Sequence, residues 1–337
     1  MSEELPGLDL GRLRAHLDRR VPGLVAGPLR GRVITGGKSN LTYTVTDGTG
    51  SWVVRRPPLG HVLATAHDMP REYRVMTALR ETAVPVPRTH LLCEDTDVLG
   101  APFYVMEHMA GTPLRTLDEI APLGAPGVRA VADSLITTLG ELHAVAPGEV
   151  GLDDFGRPAG FLERQVRRWS RQLEASRSRD LPGIDELRDR LAATLPEQGA
   201  PAIVHGDYRL DNVLVTQDGR LTAVLDWEMA TLGDPLVDLG LMLVYREQPV
   251  TGGGRPATSA EGFPSSPELA RMYAAATGRD VSRLGWYVAF GCFKLAVIAE
   301  GIHYRHERGL TVGSGFDGIG DVVVPLVRRA HSVLRED

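Results

Sequence analysis

The chain has 337 residues, 43% hydrophobic and 24% charged, with a net charge of −6 at pH 7. That length exceeds one typical domain and predicts two lobes around a cleft, with the composition of an ordinary globular protein. The acidic balance argues against a nucleic-acid binder, which carries a basic face.

The first residues, Met-Ser-Glu-Glu-Leu-Pro, lack the basic and apolar regions of a signal peptide, so the expected location is cytoplasmic. Residues 8–20 read as a short amphipathic helix. Three strands follow at 31–35, 41–46 and 51–55, the last two joined by the hairpin turn Asp47-Gly48-Thr49-Gly50. Between the first two lies Gly36-Gly37-Lys38-Ser39-Asn40. Its Gly-Lys-Ser resembles the end of a Walker A loop, but the position that requires Gly is Arg32, and a strand follows where a helix should. A glycine hairpin fits better, letting backbone N–H groups approach a phosphate with Ser39 and Lys38 assisting.

Residues 68–82 carry Met69, Tyr73, Met76 and Leu79 at helical spacing. Strands at 88–94 and 102–108, joined by a polar turn at 95–97, complete a five-stranded sheet. The expected division is a first lobe at 1–108 and a mostly helical second lobe at 109–337. In the latter, Val128, Val131, Leu135, Leu139 and Leu142 share one helical face, and Phe161, Leu162, Val166, Trp169 and Leu173 another; a helix over 185–195 follows. His143 reads as a helix-end or core histidine. Arg164, Arg167, Arg168 and Arg171 read as a solvated face, with attraction of an anionic substrate as the alternative.

Residues 249–266, rich in Gly, Pro, Ser and Thr, read as a mobile loop. Helices at 267–277, 281–308 and 321–335 close the chain. Residues 284–302 are apolar, yet Lys294 and Glu300 interrupt them, which predicts a buried helix rather than a membrane span. Cys93 and Cys292 lack metal-ligand spacing and read as core residues. Lys38 and Lys294 are the only lysines.

The stretch that carries chemistry is Val204-His205-Gly206-Asp207-Tyr208-Arg209-Leu210-Asp211-Asn212, answered by Ala223-Val224-Leu225-Asp226-Trp227-Glu228. Between them, Val213-Leu214-Val215-Thr216, the turn Gln217-Asp218-Gly219-Arg220 and Leu221-Thr222-Ala223-Val224-Leu225 form a hairpin, which brings the 207–212 loop and Asp226 together. A carboxylate at a loop tip can take a proton from an alcohol. An amide oxygen and a second carboxylate are hard ligands suited to Mg²⁺ on phosphates.

Protein kinases write their catalytic loop H-R-D-x-x-x-x-N, with a metal-binding Asp after a following strand pair. His205, Asp207 and Asn212 keep those intervals, with Gly206 in place of Arg, and Asp226-Trp227-Glu228 stands where D-F-G would. Asp207 then deprotonates the acceptor hydroxyl, while Asn212 and Asp226 hold Mg²⁺. On the same plan, Arg55 or its neighbour Arg56 grips the phosphates of ATP or GTP where kinases use Lys. Glu72 pairs with Arg55, and backbone from Glu107 to Met109 meets the base, with Met106 and Met109 lining it. Asp234 reads as a helix N-cap before Pro235, and Asp234 and Asp238 as braces of the loop carrying Asp226.

These motifs, with Gly233-Asp234-Pro235, resemble the aminoglycoside phosphotransferase and choline kinase superfamily, a branch of the protein-kinase-like fold. More narrowly, Gly37-Lys38-Ser39-Asn40, Val54-Arg55-Arg56-Pro57-Pro58, Arg71-Glu72-Tyr73 and the helix 290–305 are similar to the kinase-like domain of acyl-CoA dehydrogenase family members 10 and 11 and its stand-alone bacterial relatives. The resemblance covers roughly residues 30 to 335. It implies an α+β, bilobal fold with an antiparallel sheet in the N-lobe and a mostly helical C-lobe. It also implies phosphorylation of a small-molecule hydroxyl; an acidic acceptor loop would favour cationic aminoglycosides, whereas the many Arg of the C-lobe make an anionic hydroxy acid or an acyl-CoA derivative at least as plausible an acceptor. The departure from the broader superfamily is Arg55 in place of Lys, which favours an alternative: a nucleotide-binding pseudokinase with little transfer. A third reading, a protein kinase, lacks the A-P-E segment.

Overall fold

A computed structural model describes residues 5–34, 40–59, 68–247, 254–310, 316 and 318–336. Five antiparallel strands form the first sheet: β1 (Arg30–Val33), β2 (Leu41–Thr46), β3 (Ser51–Arg56), β4 (Thr89–Cys93) and β5 (Phe103–Glu107). Their spatial order is β1-β2-β3-β5-β4. Alternation divides the strand side chains between two faces. Tyr43, Val45, Val54, Phe103 and Val105 pack with Leu13 and Leu17 of helix α1 (Leu10–Arg20). Val53, Tyr104 and Met106 join the larger core with Met69, Met76 and Leu79 of α2 (Met69–Leu79). Asp9 and Asp68 cap these two helices, accepting from Arg12 N at 2.9 Å and Arg71 N at 3.0 Å.

The same alternation separates the two candidate arginines. Arg56 runs under the sheet to the carbonyls of Gly7 (2.5 Å) and Leu99 (2.7 Å). Arg55 points the other way, toward α2. Of the two candidates, Arg55 is therefore the one on the α2 face.

The rest of the chain is mainly helical: α3 (Gly124–Ala144), α4 (Phe161–Ser176), α5 (Ile184–Ala193), α6 (Leu236–Arg246), α7 (Ser266–Thr277), α8 (Leu284–Glu307) and α9 (Val323–Glu336). The apolar faces expected for α3 and α4 are the buried ones. Among the described residues α8 alone is long and apolar enough to cross a membrane, and 72% of its apolar window is buried within the fold. Glu300 on α8 is paired with Arg179 at 3.0 Å. Helices α6 and α8 cross in close contact, since a Cβ on Gly240 would lie 2.7 Å from the Tyr287 backbone. That crossing brings Asp238 and Lys294 to one place.

Two short antiparallel ladders carry the site. Strands β7 (Val213–Val215) and β8 (Leu221–Val224) form the expected hairpin, closed by Gly219 N–H to Thr216 O at 2.9 Å. Strand β6 (Ala202–Val204) pairs with β9 (Thr231–Gly233), a partner the sequence did not reveal. Residues 95–97 are not a simple turn: Asp95 caps the single helical turn Thr96–Leu99, and Gly100 closes it at positive φ. The loop expected over 249–266 lies partly outside the described residues; its later part is ordered, with Thr116 bridging to Pro256. Cys93 and Cys292 are free and buried.

Candidate active site

Strand β6 delivers the chain to His205, which is fully buried. The Asp207 N–H donates to His205 Nδ1 at 3.2 Å. The ring proton therefore sits on Nε2, 2.9 Å from Leu225 O. One imidazole thus links the loop to the end of β8. Asp238, at the start of α6, accepts from both His205 N and Gly206 N at 2.7 Å. Burial works to raise the Asp238 carboxyl, but the hydrogen bond and charge of His143 and the backbone donor of Gly206 outweigh it and hold it low. Asp238 therefore braces the loop carrying Asp207, not the loop carrying Asp226 as expected. Asp234 is likewise not the N-cap of α6; that position is Pro235, and Asp234 instead accepts from Leu236 N at 3.0 Å and Tyr287 Oη at 2.8 Å. His143 is a core residue, between Asp238 and Tyr273.

Gly206 has φ +84°, and a Cβ there would lie 2.7 Å from Met229 O. Only glycine meets both demands without strain. Its carbonyl accepts from Lys294 Nζ of α8 at 2.6 Å. The peptide before Asp207 is thus held on both sides.

Both carboxylate oxygens of Asp207 have donors. Asn212 Nδ2 reaches Oδ2 at 2.8 Å and the Asp207 carbonyl at 2.9 Å, and Tyr245 Oη reaches Oδ1 at 2.7 Å. With its nitrogen so engaged, the Asn212 amide keeps its oxygen for another partner. The Asn212 carbonyl accepts from Leu225 N at 2.8 Å, tying the loop to the residue before Asp226. The hairpin therefore joins its two ends, as its turn chemistry predicts. Asp226 itself has φ 65°, the only positive φ at a non-glycine among the described residues. Such strain persists only where surroundings enforce it.

Arg55 crosses from β3 to join these parts. Its Nη2 lies 2.5 Å from Asp226 Oδ1, and its Nε lies 3.0 Å from Glu72 Oε2 of α2. The Glu72 contact is a charge contact without hydrogen-bond alignment, since Nε lacks an aligned acceptor. Glu72 is fixed instead by Tyr104 Oη at 2.9 Å. Burial opposes the Arg55 charge, but Tyr104, Glu72, Asp226 and Glu228 outweigh it, so the guanidinium stays protonated. Both fork positions face carboxylates, a tighter engagement than a phosphate grip alone requires.

Glu228 sits beside this cluster. Burial, with the charges of Asp226, Glu72 and Asp207, pushes its carboxyl up to about 7 against the pull of Arg55. The buried Asn40 spans Glu72 and Glu228, with contacts of 3.4 and 3.3 Å. Glu107 is exposed at the end of β5, its N–H spent on Arg88 O at 2.8 Å, and Met109 is half-buried beyond it. Gly37, Lys38 and Ser39 lie outside the described residues.

The site thus gathers Asp207, Asn212, Asp226, Arg55 and Glu72, with Glu107 and Met109 at the strand exit. Sequence reasoning missed four residues here: Asn40, Glu228, Tyr245 and Lys294. Glu228 stood inside the quoted Asp-Trp-Glu, and Lys294 was marked by rarity; Tyr245 had no local signal.

Comparison with known proteins agrees with this geometry. A family model described as "Phosphotransferase enzyme family" matches residues 30–287. Acyl-CoA dehydrogenase family member 11 of Gallus gallus is 34% identical over 334 residues, covering 95% of this chain and 43% of its own length. Family member 10 of Mus musculus is 34% identical over 305 residues, covering 87% and 28%. The chain therefore spans less than half the length of these curated relatives. A crystal structure of a putative aminoglycoside phosphotransferase from Ralstonia eutropha superposes with TM-score 0.85 at 32% identity, covering 97% of this chain and 98% of that one. A more distant structure, an aminoglycoside phosphotransferase in ternary complex with AMP-PNP and hygromycin B, shares the fold with TM-score 0.64 at 16% identity, covering 96% and 97%. The chain belongs to the phosphotransferase enzyme family and carries its kinase-like, α+β fold.

Proposed function

We propose that this chain transfers the γ-phosphoryl group of ATP or GTP to the hydroxyl of a small molecule, with Mg²⁺ as cofactor. The observation that carries the reading is the joined pair of loop ends. Asp207 is oriented by Asn212 and Tyr245, and the same Asn212 is bound through its backbone to the residue before Asp226. Asp207 accepts the acceptor's proton as the new O–P bond forms and the bond from Pγ to the β–γ bridging oxygen breaks.

The residues fit a magnesium ion. The free oxygen of Asn212 and the partly exposed Asp226 carboxylate are hard donors. Among the described residues no group of three or more acidic, His or Cys side chains forms a cage by itself. That suits an ion completed by phosphate oxygens and water. When bound, it would neutralise charge on the nucleotide phosphates. Arg55, held by Glu72, orients Asp226 and adds positive charge beside the phosphates. Gly37, Lys38 and Ser39 would cover those phosphates, and the backbone between Glu107 and Met109 would meet the base.

The acceptor is a proposal at class level. The family name covers aminoglycoside enzymes, while the aligned curated relatives are named for acyl-CoA, so a hydroxyacyl-CoA is a candidate acceptor alongside other hydroxyl compounds. A second reading, a nucleotide-binding pseudokinase, draws on the double engagement of Arg55 by carboxylates.

Asp207→Ala decides between them. On the transferase reading it lowers turnover roughly a hundredfold or more, a general-base loss, while Mg²⁺-dependent thermal stabilisation by ATP survives. Equal turnover in the variant and the parent would defeat the transferase assignment.

A further inference from the structure

A cavity of about 260 Å³ lies behind the catalytic loop, bounded by α4, α6, α8 and the segment after Asp226. Its polar wall includes Arg71, Gln165, Arg168, Glu228 and Lys294, and Gly206, the residue before Asp207, forms part of it. The charges in this wall are unevenly satisfied.

The acids are committed. Asp68 caps α2. Asp238 serves His205, Gly206 and His143. Glu228 accepts from Asn40 Nδ2 at 3.3 Å.

The cations are not. Lys294 is only 8% exposed, donates to a backbone carbonyl and lies 5.5 Å from the Trp169 ring centre. Arg71 donates to the carbonyls of Phe155 and Ala230 and stacks on the Phe155 ring at 3.9 Å. Arg168 leans on Trp169 at 5.6 Å. Among the described residues, no carboxylate oxygen lies within 4.0 Å of the side-chain charge of any of the three, although this chain pairs Arg14, Arg129, Arg177 and Arg188 with acids on its surface. Of the three only Lys294 is buried; the charges of Asp207 and Asp238 act on it from beyond ion-pair distance, and a buried cation without a directly paired counter-charge is costly. An anion entering the cavity would supply what the wall lacks.

We propose that this cavity is the subsite for an anionic group of the acceptor, a carboxylate or a phosphate, anchored by Lys294 with Arg168 and Arg71 at its sides. The inference rests on the phosphotransfer reading and adds the acceptor's charge to it. Gly206 in this wall is the residue before the base, which puts the anionic end of an acceptor beside the catalytic loop. Phe161 and Phe290, which also line the cavity, suit the carbon chain between the two ends. This subsite opposes cationic acceptors such as aminoglycosides.

Two measurements test it. The first is thermal stabilisation by inorganic phosphate and by malonate, for the parent, Lys294→Met and Arg168→Met. Arg168 is exposed, so its variant keeps the fold even if the buried Lys294→Met does not. The parent should be stabilised by one or both anions, and the variants should bind that anion about tenfold more weakly, as expected for a lost charge-assisted hydrogen bond. No stabilisation of the parent, or equal stabilisation of both variants, overturns the proposal. The second is kcat/KM for matched acceptors: 3-hydroxybutyrate against its methyl ester, and glycerol 3-phosphate against glycerol. Preference for the acid over the ester identifies a carboxylate site, and preference for the phosphate over glycerol a phosphate site. In either case the preference should collapse in Arg168→Met; neutral members used equally well overturn the subsite. Anion binding needs no turnover, so it stands or falls separately from the Asp207→Ala test.

Discussion

The hydroxyl of Tyr245 donates to Oδ1 of Asp207 at 2.7 Å, across 38 residues of sequence. Tyr245 is itself held from behind, with the Arg209 guanidinium 4.3 Å from its ring centre. Asn212 fixes the other carboxylate oxygen, so the base is oriented from two directions. Tyr245→Phe keeps the ring and removes only the donor. It should lower kcat about tenfold, the worth of one hydrogen bond to a charged group, with KM for the nucleotide little changed. Steady-state kinetics check this; an unchanged kcat would show that Asn212 alone suffices.

The contact between Arg55 and Glu72 is a buried ion pair, with side chains 13% and 1% exposed. Glu72→Gln keeps the shape and deletes the charge. Breaking a buried pair is expensive because the remaining charge stays desolvated; the expected loss is about 3 kcal/mol, the low end of the usual range because Asp226 still faces the guanidinium. Denaturant unfolding measures it. A change within about 0.5 kcal/mol, the size of an ordinary surface substitution, would mean that Asp226 carries the whole of the compensation.

What the sequence disclosed, and what it did not, follows the range of the interactions. The His205–Asn212 loop, the hairpin and the Asp226 arm were readable because turn chemistry and residue intervals are local. Helices α3 and α4 were readable from their periodic apolar faces. The β6–β9 pairing was not, since three-residue strands leave no periodic trace. Nor were the partners that hold the loop from afar: Asp238 reaches Gly206 across 32 residues and Lys294 across 88. Asp234 beside Pro235 looked like a cap because its local sequence is that of one. Tyr287, 53 residues away, shares that carboxylate instead. Strand alternation put Arg55 and Arg56 on opposite faces, but only the packed sheet told which face met the carboxylates.

Glu228 supplies a pH dependence. Its carboxyl ordinarily titrates near 4.5 and is pushed up to about 7 by burial and by Asp226, Glu72 and Asp207. The folded chain therefore holds a proton that the unfolded chain has already released between these values. This contribution to stability is complete below about 4.5 and is lost as pH rises through about 7. Glu228→Gln cannot lose that proton. The variant's melting temperature should gain on the parent's as pH is raised from 5 to 8, and a constant difference across that range would sink the assignment. In the parent, Mg²⁺-dependent ATP binding should strengthen over the same interval, because a cation near Asp226 favours the ionised form.

Gly206 is where backbone geometry and chemistry meet. Its φ is +84°, and a Cβ at this position would stand 2.7 Å from Met229 O, which leaves no room for a side chain. Gly206→Ala must either bear strain of about 1–3 kcal/mol or rotate the peptide. Rotation would cost the bonds to Asp238 and Lys294, which fix the N–H and the carbonyl of this residue. Either way the fault is delivered to Asp207, the next residue. Arg55, Glu72 and the strand exit at Glu107 lie on other elements and should be spared. The expected result is a melting temperature lowered by several degrees, a kcat lowered about tenfold or more, and ATP binding close to that of the parent. Thermal melts with and without Mg²⁺–ATP, run beside initial rates, separate these effects. A variant with the parent's rate and stability would mean that the loop does not need its observed backbone path.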